Sequence, residues 1–147
     1  MLNKVFQVGF NKCGTTSLHH LFAASGYRSV HWHKGDLGRQ IYINITTGQP
    51  VLSGISHLDC FFDMVFMDAD KANYCHYFDL VLPKLTSGAI LIADNVLWSG
   101  KVLEEEIPIK DSETRGLKEF NKKVMAEKKV ENLLLPIRDG LMICRKI

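Results

Sequence analysis

Two carboxylates, a lysine and a carboxamide stand in this chain at spacings that would let them act on one ligand. Asp68 closes the apolar run "FDMVFMD", Asp94 closes "AILIAD", Asn95 follows directly, and Lys71 lies three residues past Asp68. Both runs are short and rich in β-formers, so they read as buried parallel strands, Phe62–Asp68 and Ala89–Asp94. In a parallel sheet the carboxyl ends of the strands share one edge, and that edge is where ligands bind. Two carboxylates and an amide oxygen converging there are hard donors. They suit Mg²⁺, Mn²⁺ or Ca²⁺, with water or substrate oxygens completing the shell. Lys71 can turn back over the strand end and accept a proton. Asp68 alone reads more simply as a helix cap after a strand; the four residues as a set favour chemistry.

A second group lies near the start of the chain. In "VGFNKCGTTSL", Gly9 and Gly14 are separated by four residues and followed by Thr15 and Thr16, with Lys12 inside the loop. Glycines let backbone N–H groups close on an anion, a helix N-terminus adds positive potential, and a lysine with hydroxyls completes the cradle. The plainer alternative is a glycine-rich strand-to-helix turn with no ligand. His31 and His33 flank Trp32 and so share a strand face. With no third ligand nearby in sequence, they read as core-edge or solvent histidines, and His19, His20, His57 and His76 carry no more.

These residues need a frame, and the frame reads as alternating strand and helix. Lys4–Phe10 and Tyr27–His33 are predicted strands; helices are predicted over Thr15–Ala24, Asp36–Ile45 and Lys71–Leu85, the last closed by "TSG". Residues 95–110 read as a loop before a charged helix capped by Asp111 or Ser112. "ENLLLPI" and "LMICRKI", joined through "RDG", form a predicted terminal hairpin. The pattern predicts an α/β fold: a Rossmann-like, mainly parallel sheet with helices on both faces and a C-terminal antiparallel hairpin.

A chain of 147 residues fits one domain with a real core, and a net charge of +2 gives no argument for nucleic acid or a membrane surface. There is no run long enough for a membrane span and no signal-peptide pattern, so a cytoplasmic location is expected. Cys13, Cys60, Cys75 and Cys144 lack CxxC spacing and read as free thiols. The partner expected is a small-molecule substrate, with a homodimer open as a possibility.

Two resemblances follow from the motifs. "KVFQVGFNKCGTTSLHHLFAASGYRSVHWH" resembles the N-terminus of sulfotransferases that use 3'-phosphoadenosine 5'-phosphosulfate (PAPS), over about Leu2–Met64. That likeness implies that Lys12, Gly14, Thr15 and Thr16 hold the phosphosulfate. "FDMVFMDADKANY", "LIADNVLWSGKV", "DSETRGLKEFNKKV" and "LLLPIRDGLMICRK" resemble the cation-dependent O-methyltransferases of the caffeoyl-CoA and catechol type, over about Phe62–Lys146. This second likeness implies S-adenosylmethionine as cofactor and Asp68, Asp94 and Asn95 as metal ligands, with Asp68 also touching the cofactor. It makes Lys71 the base, Asp70 a site-edge residue and Asp139 a substrate contact.

The chain therefore reads as chimera-like: a sulfotransferase-like part, 1–61, and an O-methyltransferase-like part, 62–147, packed as one domain with a candidate seam in 48–59. The function expected is methyl transfer to a catechol-like hydroxyl. The alternatives are PAPS-dependent sulfuryl transfer and an inactive module that binds an anion at Gly9–Thr16. The loop opened by Gly9 is longer than the G-x3-G turn of the methyltransferase family and carries Lys12. A cation beside a sulfonium is unfavourable, so weak turnover is expected.

Overall fold

The computed structural model of the chain describes residues 4–9, 21, 24–25, 28–31 and 62–147, with side chains described at 21, 24, 25 and from 62 onward. Six strands form one sheet: β1 (Lys4–Gly9), β2 (Arg28–His31), β3 (Phe62–Asp68), β4 (Leu85–Asp94), β5 (Val130–Leu135) and β6 (Leu141–Lys146). Their order is β2-β1-β3-β4-β6-β5. The first four run parallel, and β6 joins β4 antiparallel, carrying the β5–β6 hairpin at the sheet's end. The fold is thus α/β, with a Rossmann-like, mainly parallel sheet and a C-terminal hairpin. β1 is hydrogen-bonded along β3, so the two parts expected on either side of residue 62 share one sheet.

Period-two alternation explains how the strands make a core. Rows run straight across three strands, Val65–Leu91–Cys144 and Met67–Ala93–Met142. All six side chains are buried. They join one apolar cluster with Tyr74 and Phe78 of helix α1 (Tyr74–Val81) and with Leu117, Phe120 and Val124 of helix α2 (Ser112–Ala126). Phe120 meets Tyr74 and Phe78 edge-on, at centroid distances of 5.3 and 5.9 Å, the geometry that ring quadrupoles favour. On the opposite strand face Met64, Phe66, Ile90 and Ile92 are half-buried.

The predicted strand Phe62–Asp68 is found with those limits, and three other expectations need correction. β4 begins at Leu85, so "TSG" is strand and not a helix stop. Pairing slips from Phe62↔Leu85 to Met64↔Ile90, Gly88 takes φ +80°, and Thr86 Oγ1 donates to Asp63 Oδ1 at 2.9 Å. This irregular start resembles a bulge, in which extra residues are accommodated without ending the ladder. The helix predicted over Lys71–Leu85 is α1 flanked by two 3-10 turns, Lys71–Asn73 and Leu82–Lys84. The predicted loop 95–110 contains a 3-10 segment, Trp98–Leu103, interrupted at Ser99 and Gly100. The helices predicted over 15–24 and 36–45 and the candidate seam at 48–59 lie outside the described residues, apart from isolated positions in the first.

Cys75 and Cys144 are free thiols, and burial pushes Cys144 up to about 12. Cys13 and Cys60 lie outside the described residues. Among the described residues no helix is long and apolar enough to cross a membrane.

Two local devices fix the C-terminal part. Asp111 caps α2 by accepting from the Thr114 N–H at 3.1 Å and from its hydroxyl at 2.8 Å. These hydrogen bonds, led by the backbone one, hold the Asp111 carboxyl below its ordinary value. A depressed folded-state value means the ionised cap stabilises above the unfolded-state pKa of about 4 and is lost as pH falls through the folded value. Asp111→Ala should therefore lower the melting temperature at neutral pH, and the deficit should shrink as the pH is taken down below about 4, read by calorimetry across a pH series.

The second device is the hairpin turn, where Gly140 has φ +84°. A Cβ there would come within 2.5 Å of Leu97 Cγ. Gly140→Ala must bear both the left-handed conformation and that overlap. It should lower stability by roughly 1–3 kcal/mol in urea unfolding, with the strand content kept in far-ultraviolet circular dichroism.

Candidate active site

The register of β3 and β4 brings the carboxylates to one place. Met67 pairs with Ala93, so Asp68 and Asp94 are the next residues on adjoining strands, which lie about 4.8 Å apart. Gly9, the last residue of β1, pairs with Asp68 on its other side. Asn95 follows Asp94 with φ +62°, and its N–H donates to Asp94 Oδ1 at 2.7 Å. Three strand ends thus meet where a parallel sheet offers its ligand crevice. Lys12, Gly14, Thr15 and Thr16 lie outside the described residues, as does His33.

Lys71 folds back over this edge as its spacing suggested. The turn Lys71–Asn73 directs Nζ to Asp68 Oδ1 at 2.9 Å, and both residues are buried, with relative exposures of 5% and 8%. The same Nζ donates to the Tyr74 hydroxyl at 2.7 Å, which in turn donates to the Asp94 carbonyl at 2.9 Å. A charge withdrawn from water is costly unless it is paired and hydrogen-bonded, and here the ammonium is both.

Asp70 and Asp139, expected to face substrate, carry structural hydrogen bonds. Asp70 Oδ1 accepts from the Tyr77 hydroxyl at 2.5 Å, and Oδ2 accepts from Asn73 Nδ2. Burial and, after it, the Asp70 carboxylate raise the Tyr77 hydroxyl above its ordinary pKa, so it stays a donor. Asp139 sits in the hairpin turn at the rim. Its carbonyl accepts from Leu97 N–H at 2.9 Å, and its carboxylate accepts from Ser99 N–H, tying that turn to the loop after Asp94.

Three contributors to the site escaped the sequence reading. Tyr74 is three residues past Lys71, a spacing that puts side chains on one helical face and was a usable signal. Asn121 of α2 donates to the Val96 carbonyl at 2.8 Å, behind Asn95. Gly116 of α2 packs on the Lys71 turn. Nothing in the sequence marks those last two.

As a donor set, Asp68, Asp94 and Asn95 are all oxygen ligands of the kind a small divalent cation takes. Lys71 engages one oxygen of Asp68, and Oδ2 stands outside that ion pair. Among the described residues no three His, Cys, Asp or Glu side chains gather into a metal-holding group, so a cation here would draw on the Asn95 amide as well as the two carboxylates.

The O-methyltransferase family model matches residues 24–147. Caffeoyl-CoA O-methyltransferase 1 of Zea mays is 37% identical over 91 residues, covering 58% of this chain and 35% of the relative. Tricin synthase 2 of Oryza sativa subsp. japonica is 37% identical over 90 residues, 58% of this chain and 31% of the relative. The chain thus spans about a third of the length of these curated relatives.

Among solved structures, the SAH-bound methyltransferase PaMTH1 of Podospora anserina superposes with a TM-score of 0.71 at 18% identity, over 99% of this chain and 72% of that one. The O-methyltransferase of Bacillus cereus in complex with SAH gives 0.69 at 19% identity, over 99% of this chain and 74% of that one. The family match takes in residues 24–61, which the sequence reading had placed in a sulfotransferase-like part. With a family match over most of its length, this chain belongs to the O-methyltransferase family.

Proposed function

We propose that the chain carries the chemical centre of an S-adenosylmethionine- and divalent-cation-dependent O-methyltransferase that acts on a catechol-like hydroxyl. The observation that carries this reading is the buried Lys71–Asp68 pair placed beside Asp94 and Asn95 at the ends of β3 and β4. Relatives named as caffeoyl-CoA O-methyltransferase and tricin synthase, and neighbours with SAH bound, support the substrate class and the cofactor.

In this proposal Asp68, Asp94 and Asn95 hold Mg²⁺, or Mn²⁺ or Ca²⁺ in its place. The cation supplies a positive charge that favours the deprotonated substrate oxygen. Lys71 takes the hydroxyl proton on Nζ after its ammonium has released one to solvent. The freed oxygen forms its bond to the methyl carbon as the carbon–sulfur bond breaks, and the sulfur leaves as a neutral thioether. Asp68 also contacts the cofactor, and Gly9, which β1 sets against Asp68, borders the same site; Lys12, Gly14, Thr15 and Thr16 lie outside the described residues. Asp70 and Asp139 border the substrate through the turns they brace. No specific observation favours PAPS-dependent sulfuryl transfer.

The test is methyl transfer from labelled S-adenosylmethionine to a catechol with Mg²⁺ present. Turnover should be slow but measurable, and Lys71→Ala should reduce it by about a hundredfold or more, the usual scale for a lost general base. Asp94→Ala or chelation should remove the Mg²⁺ dependence along with activity. Transfer that survives both Lys71→Ala and chelation would overturn the reading.

A further inference from the structure

Lys71 is gripped at both ends by residues that neither the family match nor the motifs assign. At the ammonium end, Nζ donates to the Tyr74 hydroxyl at 2.7 Å as well as to Asp68 Oδ1 at 2.9 Å. A tyrosine has one hydroxyl proton to give. The Asp94 carbonyl, at 2.9 Å, is the nearer acceptor for it, with the Met67 carbonyl at 3.3 Å. Tyr74 is completely buried and wedged edge-on against Phe120, so its hydroxyl is a fixed point between the two strand ends. At the backbone end, the Lys71 carbonyl already accepts the Tyr74 N–H.

Helix α2 crosses this turn at Gly116. A Cβ at that position would come within 2.6 Å of the Lys71 carbonyl oxygen, 2.7 Å of Ala72 Cα and 2.9 Å of the Ala72 carbonyl oxygen. These are backbone atoms, which cannot step aside as a side-chain tip does. Glycine inside a helix is less stable than alanine, so this close approach accounts for a residue that helix propensity disfavours.

We propose that Tyr74 and Gly116 are positioning residues that together set where the Lys71 amine stands: the tyrosine hydroxyl holds Nζ, and the missing Cβ lets α2 seat against the turn. The inference rests on the proposed role of Lys71 and names the residues through which that role depends on the rest of the fold. A displacement of about 1 Å at a reacting group can cost on the order of a hundredfold in rate, and shifts of a few tenths of an ångström cost proportionately less.

The experiment compares Tyr74→Phe and Gly116→Ala with the wild type and with Lys71→Ala. One readout is kcat and KM for S-adenosylmethionine with catechol and Mg²⁺. The other is acetylation of Lys71 by acetic anhydride, measured by mass spectrometry against exposed Lys122 as internal reference. Both positioning variants should lose about tenfold in kcat with KM changed less than about twofold, and Lys71 labelling should rise several-fold relative to Lys122.

A folded Tyr74→Phe with wild-type kcat and wild-type Lys71 labelling overturns the proposal, even if its melting temperature falls. Tyr74→Phe keeps the ring and its packing, so it carries the test if Gly116→Ala does not fold. Wild-type turnover in Lys71→Ala would overturn the methyl-transfer reading instead, and the labelling ratio then upholds or refutes the two-ended hold by itself.

Discussion

A lysine ammonium cannot be withdrawn from water without an anion and hydrogen-bond acceptors waiting for it, and the Lys71–Asp68 pair meets that condition at the end of β3. Meeting it constrains four elements at once. β3 must end at Asp68, the following turn must double back, α1 must present Tyr74, and β4 must stop where the Asp94 carbonyl can receive the tyrosine proton. Deleting one member of such a pair leaves an uncompensated charge, at a cost of about 3–5 kcal/mol, more than most single contacts contribute. Stability and the proposed chemistry therefore meet in the same atoms.

α2 stands behind this pair and is as much a part of the site as the strands. Its apolar side, Leu117, Phe120 and Val124, fills the core against α1. Its polar and small positions reach the strand ends: Asn121 to the Val96 carbonyl and Gly116 to the Lys71 turn. The helix is in turn fixed at its start by the Asp111 cap, whose hydrogen bonds need an ionised carboxylate. A cap far from the strand ends thus helps to set the turn that carries the lysine.

The rim above the strand ends stores backbone strain. Asn95, Trp98, Ser99 and Arg138 all have positive φ, between 49° and 62°, and glycines follow at 100 and 140. Non-glycine residues leave the favoured regions at a cost, and they persist where the surroundings over-determine them. Here Asp139 is the restraint, binding the loop through Leu97 and Ser99 while Gly140 receives the Leu97 side chain within contact distance. The strain is a property of the backbone.

What the sequence determined by itself was whatever depends on near neighbours. β3 ends at Asp68 because an apolar run stops there, a cap falls at Asp111 or Ser112 ahead of the charged helix, with the Thr114 hydrogen bonds then choosing Asp111, and Asp139–Gly140 turns because glycine tolerates a left-handed conformation. The set Asp68, Lys71, Asp94 and Asn95 was legible because each strand end is a local feature and parallel strands then bring their carboxyl ends together. The glycine spacing at Gly9–Thr16 is a weak family signal, because a strand, a turn and a helix N-terminus favour anions in many folds. Only the tertiary structure decided the irregular start of β4, the part played by Tyr74, and the choice of glycine at 116. Each depends on atoms distant along the chain: β3 beside Leu85–Ala89, the Asp94 carbonyl over the tyrosine hydroxyl, and the Lys71 carbonyl against α2. Such contacts are distances between elements, and periodicity along one segment does not encode them.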